Sequence, residues 1–343
     1  MTRPGKRNLI TDVAGLAVGH AEDHLACTGV TVLLARKAMA AAVDVRGGAP
    51  GTRETDALDP VSLGGLVDAI ALSGGSVYGL DAAGSVTAAL GAQRRGFDLV
   101  PGAPTAPIVP GAIIFDLANG GDKNWGETPP YRRLAQTALL HASPDFALGN
   151  AGAGLGARAG LYKGGTGSAS AVTDDGFAVG TIVIVNAVGS PLIPQTDVFW
   201  AFACEQGNEF GGRRLPADFG TIDLEVPTDM KMAPRVGANT TIGIVATDAV
   251  LSRIELRRLA IMAADGFARA LRPVHTPFDG DTVFALSAGI VDVPEPRAFH
   301  VTQLGMIAAD CMARAIARGV YEAETVGDMI SYRDRFALGR QGL

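Results

Sequence analysis

Cysteine, aromatic residues and long apolar runs are all scarce in this chain, and each shortage excludes a class of protein. Three cysteines, at positions 27, 204 and 311, are spaced too widely for a disulfide framework or a metal motif. Aromatic residues make up 6%, so the core must be built from aliphatic side chains. The longest apolar stretch, residues 177–188, is interrupted by polar residues and is too short to cross a bilayer. These features predict a cytoplasmic protein without a membrane segment.

Clusters of positive charge are also lacking. The formal net charge is −6, and no run of lysine and arginine is long enough to follow a phosphate backbone. We therefore expect no nucleic-acid partner. The basic N-terminal residues 1–7 are not followed by the apolar region of a signal peptide, so no export signal is predicted.

Glycine is the residue in excess. The chain has 45 glycines in 343 residues, spread along its length without the period of a fibrous protein. This excess predicts many tight turns and close backbone contacts. The length and a hydrophobic content of 48% are sufficient for a substantial core in one large domain or two modest ones.

Secondary structure is clearest in the last third of the sequence. The β-branched run 240–247 predicts a buried strand, and residues 282–286 predict a second one. Between them, Ser252 and Glu255 form a capping-box pattern that opens a helix to about Leu271. Upstream of this region, among turns and a glycine-rich block, the sequence predicts a helix near 76–92 and a strand at 178–188. Downstream of it, the sequence predicts a final helix over roughly 301–318.

This strand–helix–strand order has a consequence for chemistry. Thr240 begins the first strand, and Asp279 and Asp281 lead into the second. A connecting helix of about 20 residues is about 30 Å long and can carry the chain back along the first strand. If the strands are parallel, both begin at the same edge of the sheet. The order then predicts a hydroxyl beside a carboxylate pair, whereas antiparallel strands would separate them.

Several motifs resemble one known family. The similar segments are 10–20, 72–80, Gly152-Ala153-Gly154 followed by Lys163, 185–189 and Gly237-Ala238-Asn239-Thr240-Thr241-Ile242. They resemble the family of self-processing amidases. This family includes L-aminopeptidase D-Ala-esterase/amidase, the β-peptidyl aminopeptidases and the nylon-oligomer endohydrolase. The resemblance implies an α/β (α+β) fold, a four-layer α-β-β-α sandwich of the N-terminal-nucleophile type. It also implies one catalytic domain over residues 1–343 that cleaves itself into chains 1–239 and 240–343. These two-chain units would form a homo-oligomer, with no cofactor or metal.

The resemblance also assigns residues. Thr240 matches the nucleophile, with self-cleavage between Asn239 and Thr240, and Asp279 and Asp281 match the paired acids of the nylon-oligomer branch. The aminopeptidase branch instead uses serine, typically with a Ser and Glu pair, so this chain is more similar to the nylon-oligomer branch. Phe115 stands where that branch has a tyrosine, which makes Phe115 a substrate-pocket candidate without a hydroxyl.

The chemistry of these residue types fits amide hydrolysis. A threonine hydroxyl needs a base, and the α-amine that self-cleavage would create on Thr240 has an ordinary pKa of about 7.7–8.0. Asp279 and Asp281 would orient this amine and hydroxyl. Lys163 would favour a neutral amine and stabilise negative charge, and the Asn186 amide would donate to the developing oxyanion.

Several interpretations remain open from the sequence. The leading one is a hydrolase of short linear oligoamides of the 6-aminohexanoate type or of peptides. The alternative is an aminopeptidase, D-amidase or β-peptidyl aminopeptidase of the same family, and a remote one is a non-catalytic binding protein. Three rival motifs are weaker: a serine hydrolase centred on Ser76, a phosphate loop at residues 152–156, and a metal site at His20, Glu22 and His24.

Overall fold

The computed structural model describes residues 2–222, 229–231 and 239–336. The strands are β1 (Thr2–Arg3), β2 (Leu16–Asp23), β3 (Thr28–Val45), β4 (Thr52–Arg53), β5 (Leu66–Ser73), β6 (Gly111–Ile113), β7 (Arg158–Ala159), β8 (Tyr162–Lys163), β9 (Gly165–Thr173), β10 (Ala178–Asn186), β11 (Thr240–Ala249) and β12 (Thr282–Val291). The helices are α1 (Asp81–Ala92), α2 (Tyr131–Leu140), α3 (Arg253–Ala270), α4 (Arg297–Tyr321) and α5 (Tyr332–Arg335). None of these helices is both long and apolar enough to cross a membrane.

The long strand β3 joins two sheet layers. Residues 28–35 of β3 pair with β2, and β5 pairs beside them, whereas residues 40–45 pair with β12. The hydrogen-bonded order is therefore β1-β9-β10-β11-β12-β3-β5-β6-β4, with β2 on the other side of β3. One layer contains β9 to β12 and the other contains β2, β5 and β6, with β3 passing from the second to the first.

Three apolar cores separate four layers. Because side chains alternate along a strand, β10 turns Ile182 toward the core between the sheets and Val183 toward the helices α3 and α4. On the second sheet, Leu33 faces the same central core, and Val32 packs with α1 and α2. The order of layers is helices, sheet, sheet, helices, which confirms the expected α-β-β-α sandwich.

The strand–helix–strand unit at the end of the chain forms as predicted. Strands β11 and β12 pair in parallel, with Ile242 opposite Thr282. The helix α3 between them begins at Arg253, and the Ser252–Glu255 capping box is present. Helix α4 is longer than its apolar pattern indicated, running from Arg297 to Tyr321. The starts of β11 and β12 therefore lie at the same edge of the sheet.

Two elements lie in stretches that the sequence analysis had interpreted differently. Helix α2 lies in the stretch that was interpreted as a loop rich in Asn, Trp and Pro, and strand β9 lies in the glycine-rich block. Glycine in β9 has a packing role: a Cβ on Gly167 would lie 1.8 Å from the Ala315 carbonyl oxygen of α4. Likewise, a Cβ on Gly19 of β2 would lie 1.8 Å from the Ala138 oxygen of α2. Here glycine lets helices approach the sheets closely and does not break the strands.

We expect Gly167→Ala to destabilise the protein by about 1–3 kcal/mol, because the new methyl group collides with backbone that can move only with helix α4. The matched control is Gly91→Ala in α1, where a Cβ meets no atom closer than 3.7 Å. That change should be neutral or stabilising by up to about 1 kcal/mol, since alanine favours helix. Urea unfolding of both variants measures the difference. Equal stability of the two variants would show that the β9–α4 contact tolerates a side chain.

Candidate active site

The carbonyl of Asn239 is the centre of the site. It accepts a hydrogen bond from the hydroxyl of Thr240 and a second one, of 2.9 Å, from the backbone N–H of Gly280. Thr240 is 1% exposed. A Cβ at Gly280 would lie 2.7 Å from the Thr240 hydroxyl oxygen, so only glycine fits there. Gly237 and Ala238 of the sequence motif lie outside the described residues.

Asp281 fixes the start of the nucleophile strand. Its Oδ1 accepts from the backbone N–H of Thr241 at 2.8 Å. Its Oδ2 accepts from the His275 N–H at 3.0 Å and contacts His275 Nδ1 at 2.8 Å. The carboxylate is 1% exposed, and each of its two oxygens has a hydrogen-bonding partner. Asp281 therefore controls the backbone next to Thr240 and leaves the Thr240 hydroxyl to the Asn239 carbonyl.

Asp279 lies on the other side of Gly280. Its Oδ2 accepts from the Thr276 hydroxyl at 2.5 Å and the Thr276 N–H at 3.0 Å, and its Oδ1 accepts from the Val188 N–H at 3.3 Å. Burial, and then the nearby charge of Asp281, raise the pKa of Asp279. Asn239 and Asp279 are also joined as a parallel bridge. The structure thus brings together the hydroxyl and the carboxylate pair that the sequence placed at one sheet edge.

Asn186 approaches this group from the neighbouring strand. It ends β10 directly opposite Thr240 of β11 and is fully buried. Its Nδ2 donates to the Phe115 carbonyl oxygen at 3.2 Å. The next residue, Asp116, accepts from the Gly75 N–H at 2.7 Å, within the 72–80 motif. The contact of Asn186 with Phe115 therefore links the two sheet layers at the site.

Three donors converge on the oxygen of the Asn186 amide. They are the Arg158 N–H at 3.0 Å, Asn119 Nδ2 at 3.3 Å and Lys231 Nζ at 3.3 Å. Lys231 Nζ also lies 3.4 Å from the Asn186 carbonyl oxygen. Burial lowers the pKa of Lys231 to about 7, with the Arg158 charge adding to the effect and Asp279 opposing it. Because these three donors hold the amide oxygen, the amide nitrogen of Asn186 points the other way, toward the Phe115 carbonyl.

Lys163 is a second buried amine. Its Nζ donates to the carbonyls of Gly154 and Gly164, both at 2.7 Å, and its side chain is inaccessible to solvent. Burial lowers its pKa to about 7. Lys163 pairs with Arg158 in the β7–β8 ribbon, and the Arg158 N–H bonds Asn186. Lys163 is therefore one residue removed from the hydrogen bonds that hold Asn186.

Sequence reasoning missed four members of this group: His275, Gly280, Asn119 and Lys231. Gly280 had a signal, since it separates the two aspartates that the sequence analysis placed beside Thr240. Asn119 follows Phe115 by four residues in a loop, and His275 lies ahead of the aspartate turn. Their contacts depend on tertiary structure and leave no pattern in the sequence.

The rival motifs have other surroundings. His20 Nδ1 lies 2.9 Å from the Thr31 hydroxyl, and burial lowers its pKa to about 4. Ser76 opens the turn that leads into α1. The Gly152–Gly154 turn supplies a carbonyl to Lys163. Across residues 2–222, 229–231 and 239–336, no three His, Cys, Asp or Glu side chains meet in a way that could hold a metal ion.

Similarity to known proteins agrees with this geometry. The fold is that of the N-terminal-nucleophile hydrolases: L-aminopeptidase D-Ala-esterase/amidase from Ochrobactrum anthropi matches with a TM-score of 0.70 at 21% identity, over 95% of this chain and 89% of that one. The model of peptidase family S58 matches residues 8–331, and the chain belongs to this family and is an amide hydrolase.

Two relatives cover nearly the whole chain. An uncharacterized aminopeptidase of Mycobacterium bovis is 44% identical, over 96% of this chain and 98% of the relative. A 6-aminohexanoate-oligomer endohydrolase of a Kocuria species is 30% identical, over 91% of this chain and 86% of that protein. The resemblance inferred from the motifs is thereby confirmed at the level of the family.

The buried amine of Lys163 predicts a pH dependence of stability. Its folded-state pKa, about 7, is below the ordinary value of 10.5, so between these pH values the unfolded chain binds a proton that the folded chain does not. Stability should therefore rise with pH in this window, by up to about 1.4 kcal/mol per unit from this group. Lys163→Met should remove the contribution of Lys163 to this slope and leave that of Lys231, whose pKa is lowered to the same value.

The measurement is denaturant unfolding between pH 7.5 and about 9.5, in a Thr240→Ala background checked on a gel to be a single chain. Lys37→Met, at an exposed position of β3, controls for the loss of a lysine. The same slope in the Lys163→Met and Lys37→Met chains would contradict the prediction.

Proposed function

We propose that the chain is a self-processing N-terminal threonine hydrolase that cuts between Asn239 and Thr240 and then cleaves short linear oligoamides or peptides. The supporting observation is the Asn239 carbonyl, which is held between the Thr240 hydroxyl and the Gly280 N–H. This is the arrangement that an attack of the hydroxyl on the preceding peptide bond requires. The products would be chains 1–239 and 240–343, which we expect to assemble further as a cytoplasmic homo-oligomer of two-chain units.

Self-cleavage would begin with an acyl shift. The Thr240 oxygen bonds to the carbonyl carbon of Asn239, and the Gly280 N–H stabilises the oxygen that becomes negative. The bond from this carbon to the Thr240 nitrogen then breaks, and the hydroxyl proton ends on that nitrogen. Water hydrolyses the resulting ester to give the Asn239 carboxylate and a free Thr240 amine. Because the reacting groups are already in contact, the step is intramolecular and needs no encounter.

Turnover would use the groups that self-cleavage exposes. The new α-amine accepts the hydroxyl proton, and the Thr240 oxygen attacks the substrate amide. Asp281 holds the Thr241 N–H, so the start of β11 stays in place after the cut. The Asn186 amide lies opposite Thr240 and would donate to the oxyanion, exchanging its present partner, the Phe115 carbonyl, for substrate. Lys163 would supply positive charge behind Asn186.

Two kinds of substrate are supported by different observations. Threonine with the Asp279–Asp281 pair favours linear oligoamides of 6-aminohexanoate, the substrate named for the Kocuria relative. The relative of higher identity carries the name of an aminopeptidase, an enzyme that requires a free substrate amine. Oligoamide hydrolysis is the leading proposal because it agrees with the residue types at the site, and the aminopeptidase is the second candidate.

Thr240→Ala should give a folded chain that is neither cut nor active, because alanine has no oxygen to attack Asn239. Thr240→Ser should still cut, but more slowly by about 10-fold or more, since the lost methyl group no longer restricts the χ1 rotamer. Gels and amide hydrolysis should be followed over time beside wild type, with Edman sequencing of the smaller wild-type chain expected to begin Thr-Thr-Ile-Gly. A wild type that stays intact and inactive, or a Thr240→Ala chain that cuts at the same bond, would reject the proposal.

The substrate mode can be decided with one pair of compounds. If the chain is an oligoamide hydrolase, the 6-aminohexanoate trimer and its N-acetyl derivative should be cleaved with kcat/KM values within about 3-fold of each other. An aminopeptidase needs the substrate ammonium, so acetylation should reduce kcat/KM by about 100-fold or more. Processed wild-type enzyme is used for both compounds, and product amines are quantified by mass spectrometry.

A further inference from the structure

The short segment 229–231, upstream of the proposed cut, is bound to the body of the protein beside the site. The Asp229 carbonyl accepts from the Leu161 N–H at 2.9 Å, and the Asp229 carboxylate accepts from the Ser190 hydroxyl. The Lys231 N–H donates to the Val188 carbonyl at 3.0 Å. These anchors involve residues other than Asn239 and Thr240. A cut at residue 239 therefore breaks none of them, and Lys231 would stay in place.

The side chain of Lys231 is directed at Asn186. Its ammonium contacts both the amide oxygen and the backbone oxygen of that residue, at 3.3 and 3.4 Å. Asn186 is fully buried and Lys231 is half-buried, so the accepting oxygens are shielded from water. The other two donors to the amide oxygen, Arg158 N–H and Asn119 Nδ2, are neutral groups. Lys231 is thus the one of these three donors that can carry a positive charge, which it does below a pH of about 7.

We infer that Lys231 is a positioning residue for the reaction: its ammonium holds and polarises the Asn186 amide so that Nδ2 is a stronger donor to the oxyanion. The inference rests on the proposed function, in which Asn186 stabilises that charge. A charged donor on the amide oxygen withdraws electron density from the nitrogen, and hydrogen bonds in such a chain strengthen one another. Lys231 acts through Asn186, whose two oxygens accept the hydrogen bonds of its ammonium.

The role of Lys231 can be separated from that of a structural lysine. Lys231→Met keeps the length of the side chain and removes the charge and the donors. We expect kcat to fall by about 10- to 100-fold with KM changed by less than about 3-fold, because the interaction strengthens only as negative charge develops. Lys231→Arg, which retains charge and donors, should recover most of the loss. Rates refer to the processed fraction, quantified by its N-terminal threonine, with 6-aminohexanoate trimer or alanine p-nitroanilide as substrate.

A double-mutant cycle tests the route through Asn186. In an Asn186→Ala background, Lys231→Met should change kcat by less than about 2-fold, since the group it acts on is gone. Lys37→Met on the exposed surface is the matched control and should leave kcat unchanged. If Lys231→Met fails to accumulate processed chain, Lys231→Gln, which keeps a neutral donor, carries the same comparison.

Two results would overturn the inference. One is a Lys231→Met or Lys231→Gln enzyme with wild-type kcat. The other is a double variant, Asn186→Ala with Lys231→Met, in which the fold-losses of kcat of the two single variants multiply fully. Either result leaves the proposed function intact as long as wild type cuts itself and Thr240→Ala does not. Conversely, an inactive wild type would reject the proposed function before any Lys231 variant is measured.

Discussion

The parallel pairing of β11 with β12 is the constraint on which the site depends. Because both strands start at one edge, the turn that carries Asp279, Gly280 and Asp281 is placed against the peptide bond between Asn239 and Thr240. Helix α3 fixes this register by returning the chain along the sheet, and its capping box defines where the return begins. A shift of one residue between β11 and β12 would turn the Gly280 N–H away from the Asn239 carbonyl. It would also move the side chains of the shifted strand to the opposite faces of the sheet.

Burial shifts the pKa values of several ionisable side chains at the site toward their neutral forms. Two lysines have pKa values lowered to about 7 by burial, and one aspartate has its pKa raised by burial and by its neighbour. Desolvation thus brings Lys163, Lys231 and Asp279 toward the pH range in which protons move easily. Backbone carbonyls and N–H groups provide most of the partners, so the arrangement depends on the fold as a whole and on few side-chain ion pairs.

The sequence predicted those elements of the fold that depend on interactions between residues close together in the chain. The capping box at Ser252 and the β-branched run from Thr240 identified α3 and β11, and their order predicted that the aspartates would be near Thr240. Strand β9 was missed because its glycines were interpreted as turns, whereas Gly167 is selected by the approach of α4 from a distant part of the chain. The contact of Lys231 with Asn186 was missed for the same reason: it joins residues 45 positions apart. The catalytic roles of the site residues remain predictions.

The interior position of β11 and β12 determines how a cut molecule would behave. Both strands belong to residues 240–343, yet they lie between β10 on one side and β3 on the other, which belong to the preceding part of the chain. Two fragments produced by cleavage at residue 239 would thus share one continuous sheet, and their separation would require breaking backbone hydrogen bonds along both neighbours. Reassembly from separated fragments would be a bimolecular reaction, dependent on concentration, whereas the folding of an uncut chain would be unimolecular. Folding would therefore have to precede such a cut, and heat would dissociate and unfold a cut molecule in a single event.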